Sequence, residues 1–317
     1  MSVFSLPFFT DETAAIEKLE GIIWPNGPVC VHCGDASRIG RLNGKSTKLG
    51  ALKCYACQKK FHATVGTVFE DSHVPLTYWM QAVYLLVSSK KGFSSHQLMR
   101  ALDVQYKTAW FMTHRIREAM NEPGWHEAGP LGGDGMTVEA DETWVGGKAA
   151  NRAYGPIPPK HAVAALVERG GRLRMFHVPH VTAANLAPLI ARHAHPDSRF
   201  MTDESNVYSQ AGAWFKSHDT VNHSIKEYVR DEAYTNTIEG CFSILKRGIY
   251  GVYQHVSEAH LKRYLAEFSF RYSYRIKTGY DDMARFERAL AGIVGKRLTY
   301  RLPGGGRSAA TSPQAGA

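Results

Sequence analysis

Apolar and polar positions along this chain follow a helical period first and a strand period later, and the change of period divides it. DETAAIEKLEG, residues 11–21, is helix-like, with Thr10 or Asp11 to cap it and Gly21 to end it. Pro75 opens a second helix through TYWMQAVYLLVSSK, whose apolar residues are dense enough to pack on more than one side. Ser94 and Gln97 form a capping-box pattern for SSHQLMRAL, LDVQ turns the chain, and YKTAWFMTHRIREAM continues at helical period. NEPGWHEAGPLGGDG, rich in Gly and Pro, reads as a linker. Beyond it, MTVEADETWV, HAVAALVE and LRMFHV are strand-like, the last two joined by RGGR as a hairpin. TAANLAPLIARHA then reads as a helix, RFMTDES as a strand, YSQAGAWFKS as a helix and DTVNHSI as a short strand. Three antiparallel strands followed by helix, strand, helix and strand imply a mixed sheet with helices packed on it.

Two helices close the pattern. TNTIEGCFSILK puts Asn236, Glu239, Ser243 and Lys246 on one face and Ile238, Phe242, Leu245 and Ile249 on another. One face is polar and site-like, the other core-like. SEAHLKRYLAEFSFRYSYR is long, aromatic and basic, and Lys and Arg outnumber acids from Cys241 to Lys277, which suggests a second basic surface beside the site. The end, RLPGGGRSAATSPQAGA, is small and polar and is expected to be disordered.

Composition narrows the function class. The 317 residues carry a formal charge of +9 and a pI near 9.2, which favours an acidic partner, above all nucleic acid. No apolar run approaches the ~20 residues that cross a bilayer, and MSVFSLPFFTDET lacks the order of a signal peptide, so a cytoplasmic, nucleoid-associated protein with no membrane role is expected.

The cysteines add a metal site. Cys30 and Cys33, followed by Cys54 and Cys57, form C-x2-C-x20-C-x2-C, and such pairs wrap tetrahedral zinc through thiolates. Disulfides are the alternative, disfavoured in a chain without export signals. His32 and His62 are alternative ligands, and Cys241 reads as a small buried residue. From Cys30 to His62 lie Arg38, Arg41, Lys45, Lys48, Lys53, Lys59 and Lys60 against one acid, Asp35, which suits phosphate contacts or a solvated face. The following helices resemble a helix-turn-helix, with Gln105, Lys107, Thr108, His114 and Arg115 on or beside the second helix; an ordinary helical hairpin is the alternative.

The acids carry the chemistry. Asp141 and Asp203 on strands and Glu239 on a helix can converge on a divalent metal pair, and oxygen ligands suit Mg2+ or Mn2+. In VEADETW, alternation places Glu139 and Asp141 on one face and Glu142 on the other, so Glu139 is a possible auxiliary and Glu142 structural. Lys246, seven residues after Glu239, returns to the same face to meet a phosphate. Asn236 either caps the helix or orients a ligand.

From about Asp11 to about Tyr274 the chain resembles the DDE-type insertion-sequence transposases with an N-terminal zinc ribbon. The likeness rests on WPNGPVCVHCG, CYACQKKF, VEADETWVGGK, TDESNVY and TNTIEGCFSILKRGIYGVYQHVSEAHLKRYLAEFSFRYS, in that order. It implies a ribonuclease H-like α/β catalytic fold and the cutting and joining of double-stranded DNA at element ends and target by a homo-oligomer. By position, Asp141 and Asp203 fall on the family's catalytic aspartates, Glu239 or Asn236 on the third position and Lys246 on the downstream base. Tyr234 stands where many relatives carry His. The expected organisation is an N-terminal helix and zinc ribbon at 1–65 and a helix-turn-helix-like module at 66–124. A catalytic domain at 125–300 and a tail at 301–317 follow. Two rival functions are a zinc-ribbon DNA-binding regulator without catalysis and a ribonuclease H-like nuclease that cuts without joining.

Overall fold

The computed structural model describes residues 2–121, 129–147, 159–221, 229–230 and 233–298; the tail expected at 301–317 lies outside them. Helix α1 (Glu12–Ile23) is capped by Asp11, whose side chain accepts the Ala14 N–H at 2.7 Å. It runs past Gly21. Glycine ends a helix by taking a positive φ, and Gly21 does not, so Ile22 and Ile23 continue the helix into the apolar core.

The ribbon is a small antiparallel sheet of β1 (Ile39–Arg41), β2 (Leu52–Cys54) and β3 (Lys60–Phe61). Its core holds only Cys30, Leu52, Cys54 and Phe61, with Trp24, Ile39 and Cys57 at the margin. Arg41, exposed on the ribbon, pairs with Glu20 and ties the ribbon to α1.

Helices α2 (Leu76–Ser88), α3 (Ser95–Leu102) and α4 (Tyr106–Met120) follow. The capping box is present: Gln97 N–H donates to Ser94 Oγ and Ser94 N–H to Gln97 Oε1. Asp103, at φ 51°, turns α3 into α4.

The main sheet is built from β4 (Thr137–Gly146), β5 (Lys160–Glu168), β6 (Leu173–Val178), β7 (Arg199–Asp203) and β8 (Ser217–Val221). The order is β6-β5-β4-β7-β8, with β4, β5 and β6 antiparallel and β7 and β8 added parallel to β4. A three-strand meander whose first strand gains parallel neighbours is the ribonuclease H-like arrangement, an α/β mixed sheet flanked by helices. Helix α5 (Ala183–His193) links β6 to β7 and packs on Val138, Ala140, Leu166 and Phe200. The helix expected over YSQAGAWFKS shrinks to one turn, α6 (Ser209–Gly212). A tight turn replaces the rest because Phe215 must come back to stack on Phe200, with ring centroids 4.3 Å apart. Gly212 permits it, since a Cβ there would meet the His218 ring at 2.0 Å.

The opposite face of the sheet is covered by α7 (Asn236–Gly248) and α8 (Glu258–Ser273). Ile238, Phe242, Leu245 and Ile249 are buried there, while Asn236, Glu239 and Ser243 are exposed and Lys246 partly so. Helix α9 (Asp282–Ala291) packs elsewhere: Phe286 and Leu290 join Phe9, Leu19, Trp79, Met80, Ile116 and Phe270 in the helical core. The helical core takes its members from both ends of the described chain. A buried charge cluster spans the join. Glu267 of α8 accepts Arg117 Nε of α4 at 2.6 Å and the Tyr253 hydroxyl at 2.6 Å, and Arg271 lies 2.7 Å away. These arginines hold the Glu267 carboxyl below its usual range against the cost of burial.

Candidate active site and cysteine centre

Register builds the acidic site. Thr137, Val138 and Glu139 of β4 pair with Arg199, Phe200 and Met201 of β7. Continuing that offset sets Asp203, the last residue of β7, abreast of Asp141 just where the strands part. Opposite, Asp141 and Glu139 pair with Ala165 and Val167 of β5, which belong to the core under α7 and α8. Both acids of β4 thus face α7. Glu142 turns to the other side, where the Tyr208 hydroxyl donates to its carboxylate, and burial raises its pKa.

Asp141, Asp203 and Glu239 share one field. Burial first, then the charges of Glu142, Asp203 and Glu239, push the Asp141 carboxyl up to about 7, against the Glu142 N–H that donates to it at 2.7 Å. The charges of Asp203 and Glu239 are unfavourable to ionised Asp141, and an all-oxygen donor set suits Mg2+ or Mn2+, but the ligand atoms of the three acids do not all lie within 4.8 Å of one another. Asp203 Oδ1 also accepts the Ser205 N–H at 3.1 Å, and Glu239 Oε1 accepts the Thr235 hydroxyl at 3.3 Å. These bonds aim the carboxylates.

Glu139 has a different task. It is fully buried, accepts Arg169 Nε at 2.6 Å and accepts the Ile238 N–H at 3.0 Å. It therefore caps α7 from the neighbouring strand, where Thr235, the N-cap residue, offers no side-chain cap. Arg169 in turn donates to the Tyr234 carbonyl at 2.7 Å and lies 3.5 Å from that ring, fixing the approach to α7. Asn236 is the first residue inside the helix rather than its cap. Lys246 lies on the same side of α7 as Glu239, roughly 10 Å further along.

The cysteine centre is built by loops and the end of β2. Cys30 and Cys57 sulfurs lie 3.7 Å apart and Cys33 and Cys54 sulfurs 3.6 Å apart, and all four lie within 4.8 Å of one another. Those separations exclude disulfides and match the ~3.8 Å edge of a tetrahedron with metal–sulfur bonds of ~2.3 Å. Burial opposes the Cys30 thiolate, but N–H groups of His32 and Cys33 and the thiols of Cys33 and Cys57 outweigh it and hold Cys30 at about 6. His32 lies outside the cluster, near the Lys60 carbonyl at 3.3 Å. Cys241 is buried, and burial pushes its thiol up to about 12.

The helix-turn-helix-like surface is smaller than its sequence suggests. Gln105 and Lys107 are exposed, but His114 and Arg115 are buried. Arg115 donates to the carbonyls of Val68, Glu70 and Leu298 at 2.8 to 3.1 Å, so its charge serves packing. His114 lies among Trp110, His260 and Tyr264. Of the basic residues expected to form a second surface between Cys241 and Lys277, Arg263 pairs inward with Glu118 and Arg271 with Glu267, while Arg247, Lys262 and Lys277 are exposed.

Residues 130–273 match the ISXO2-like transposase domain and residues 10–60 the transposase zinc-ribbon domain. An uncharacterised protein in transposable element ISH50 of Halobacterium salinarum is 28% identical over 275 residues, covering 83% of this chain and 91% of that one. Among solved structures, the Mos1 strand transfer complex aligns at 10% identity and a TM-score of 0.26, covering 66% of this chain and 73% of that one. The Mos1 paired-end complex with the left transposon end aligns at 11% identity and 0.27, covering 67% and 74%. Among the described residues no helix is long and apolar enough to cross a membrane.

Proposed function

Because the chain belongs to the DDE-type insertion-sequence transposases that carry an N-terminal zinc ribbon, we propose that it binds the ends of its own element, cleaves the DNA there and joins it to target DNA. What supports this reading is the register that sets Asp203 abreast of Asp141 at the ends of neighbouring strands, beneath the helix that carries Glu239, whose charge adds to the burial that pushes Asp141 up to about 7. These three carboxylates would hold Mg2+ or Mn2+. Bound there, such ions would supply activation of the attacking oxygen and stabilisation of the leaving one in phosphoryl transfer. Glu139 keeps α7, and with it Glu239, at a fixed distance from Asp141. Lys246, on the same side of α7, meets a phosphate beside the scissile bond. Cys30, Cys33, Cys54 and Cys57 would hold a structural zinc that folds the ribbon, whose exposed Arg38, Lys45, Lys48, Lys59 and Lys60 contact backbone phosphates. Joining at two ends calls for at least two copies, hence a homo-oligomer on DNA.

Duplex oligonucleotides carrying the element end, incubated with protein and Mg2+ or Mn2+, test the reading. Nicking at the end followed by strand transfer into a plasmid is the expected result, lost in Asp141→Asn and Asp203→Asn. Cleavage without transfer would leave a nuclease, and binding without cleavage a regulator.

A further inference from the structure

Away from the acid site, three side chains able to bind a metal meet at the edge of the sheet. His161 opens β5 and His177 lies near the end of β6. Val163 pairs with His177 across the ladder, so His161, two residues earlier, stands on the same face and one diagonal away. Glu258, the first residue of α8, reaches both: its Oε2 lies 3.7 Å from His161 Nδ1 and its Oε1 3.6 Å from His177 Nε2. One ligand atom from each residue lies within 4.8 Å of the other two.

These separations are too long for the ~2.7–2.9 Å of a charge-assisted hydrogen bond. Each histidine faces its own oxygen of the Glu258 carboxylate, and one ligand atom from each residue lies within 4.8 Å of the others, near enough for a bound ion to draw them to the ~3.4 Å edge of a tetrahedron whose centre is ~2.1 Å from each nitrogen or oxygen. The histidine side chains are sheltered, at 14% and 23% exposure, while Glu258 is 61% exposed. An ion can therefore enter from solvent, and water can complete its coordination. We propose that His161, His177 and Glu258 form a second site for a transition-metal ion of the zinc type, distinct from the four-cysteine centre and from the three acids. Two imidazoles with one carboxylate favour zinc and its neighbours over Mg2+. The bound ion pins the first turn of α8 to β5 and β6, and α8 is the helix that carries Glu267 to the helical core.

Cobalt(II) is the probe, added to full-length protein whose cysteine centre is already filled with zinc and whose acid site is removed by Asp141→Asn and Asp203→Asn. One further equivalent is expected to bind, with visible d–d bands and no thiolate charge-transfer band, and to raise Tm. Since disturbing even an outer-shell partner costs about 10- to 100-fold in metal affinity, His177→Ala should weaken binding by about a hundredfold or more. Glu258→Gln, at an exposed position, should lower affinity without threatening the fold, and zinc content reports that the ribbon stays intact. No cobalt beyond the filled centre, or equal binding by Glu258→Gln and the parent, would overturn the site.

Discussion

The carboxylate of Glu139 accepts the backbone N–H of Ile238 at 3.0 Å, so the strand that carries Asp141 also caps the helix that carries Glu239. The same carboxylate holds Arg169, which grips the carbonyl of Tyr234 at the approach to that helix. Glu139→Ala would leave Arg169 without its charge partner and α7 without its cap. Loss of one member of a buried pair costs about 3–5 kcal/mol, and a displaced Glu239 should cut strand cleavage far more than end binding. Glu139→Gln keeps an acceptor for Ile238 and should recover part of both. Thermal melts and single-turnover cleavage of the two variants check this; equal loss in both would show that charge, not the cap, is what matters.

The third acid can be separated from its neighbour one turn away. Glu239 contributes to the field that raises Asp141, whereas Asn236 is neutral and stands at the first helical position with a cap already supplied by Glu139. Glu239→Gln is therefore expected to lose cleavage as completely as Asp203→Ala, while Asn236→Ala retains a measurable fraction. The opposite ranking, with both proteins folded and in Mg2+, would move the ligand role to Asn236.

Legibility in the sequence followed how local the determining contact was. The two faces of α7 are set by a period of 3.6 residues and one buried side, so Ile238, Phe242 and Leu245 against Glu239 and Lys246 could be read directly. The cysteines announce themselves by spacing. Arg115 does not, because its acceptors are the carbonyls of Val68, Glu70 and Leu298, and no pattern near residue 115 records them. The same holds for Phe286, which is apolar in any reading but meets Phe8, Phe9 and Tyr84 only after the chain has closed on itself. His161, His177 and Glu258 come from two strands and a helix with no shared spacing. The nearest sequence signal was alternation: His161 and Val163 lie two apart on a strand, which fixes their face but not their partner.

Lys107 and Arg115 should now behave differently. Lys107 is exposed on α4, so Lys107→Ala should weaken duplex DNA binding and flatten its salt dependence by about one unit of slope if it meets one phosphate. Arg115→Ala instead strands the carbonyls of Val68, Glu70 and Leu298 and should destabilise the helical core by about 3 kcal/mol or more. Denaturant melts and binding isotherms at several salt concentrations distinguish the two. An Arg115→Ala protein of normal stability would contradict the buried role.

The ribbon should depend on its metal. Its core is too small to stand alone, so Cys54→Ser should release zinc and unfold residues near Cys30 to Phe61 while the main sheet stays folded. Zinc content and proteolysis mapped by mass spectrometry check this. Stoichiometric zinc in Cys54→Ser, or unchanged DNA binding after its loss, would remove the ribbon from the interface.

The last expectation is a pH dependence seated at His114. Burial, with Arg117, His260 and Arg263 nearby, holds its imidazole neutral down to about 2, and neither ring nitrogen has a hydrogen-bond partner among the described residues. In the unfolded chain the same group takes a proton near pH 6.5. Below that pH the unfolded state therefore binds one proton that the folded state refuses. Stability from this residue is fully present above pH 6.5 and falls as pH drops, by about 1.4 kcal/mol per unit, or roughly 2 kcal/mol between pH 6.5 and 5. His62, His218 and His260 are also pushed down by burial and add to the slope of the whole protein, so the informative quantity is a difference. His114→Phe keeps a ring against Trp110 and Tyr264 and cannot be protonated. Denaturant melts of both proteins should nearly coincide at pH 8 and diverge steadily below pH 6.5, with the variant the more stable. Parallel curves across that range would mean that His114 takes up its proton in the folded state, and so that the pocket around it admits water.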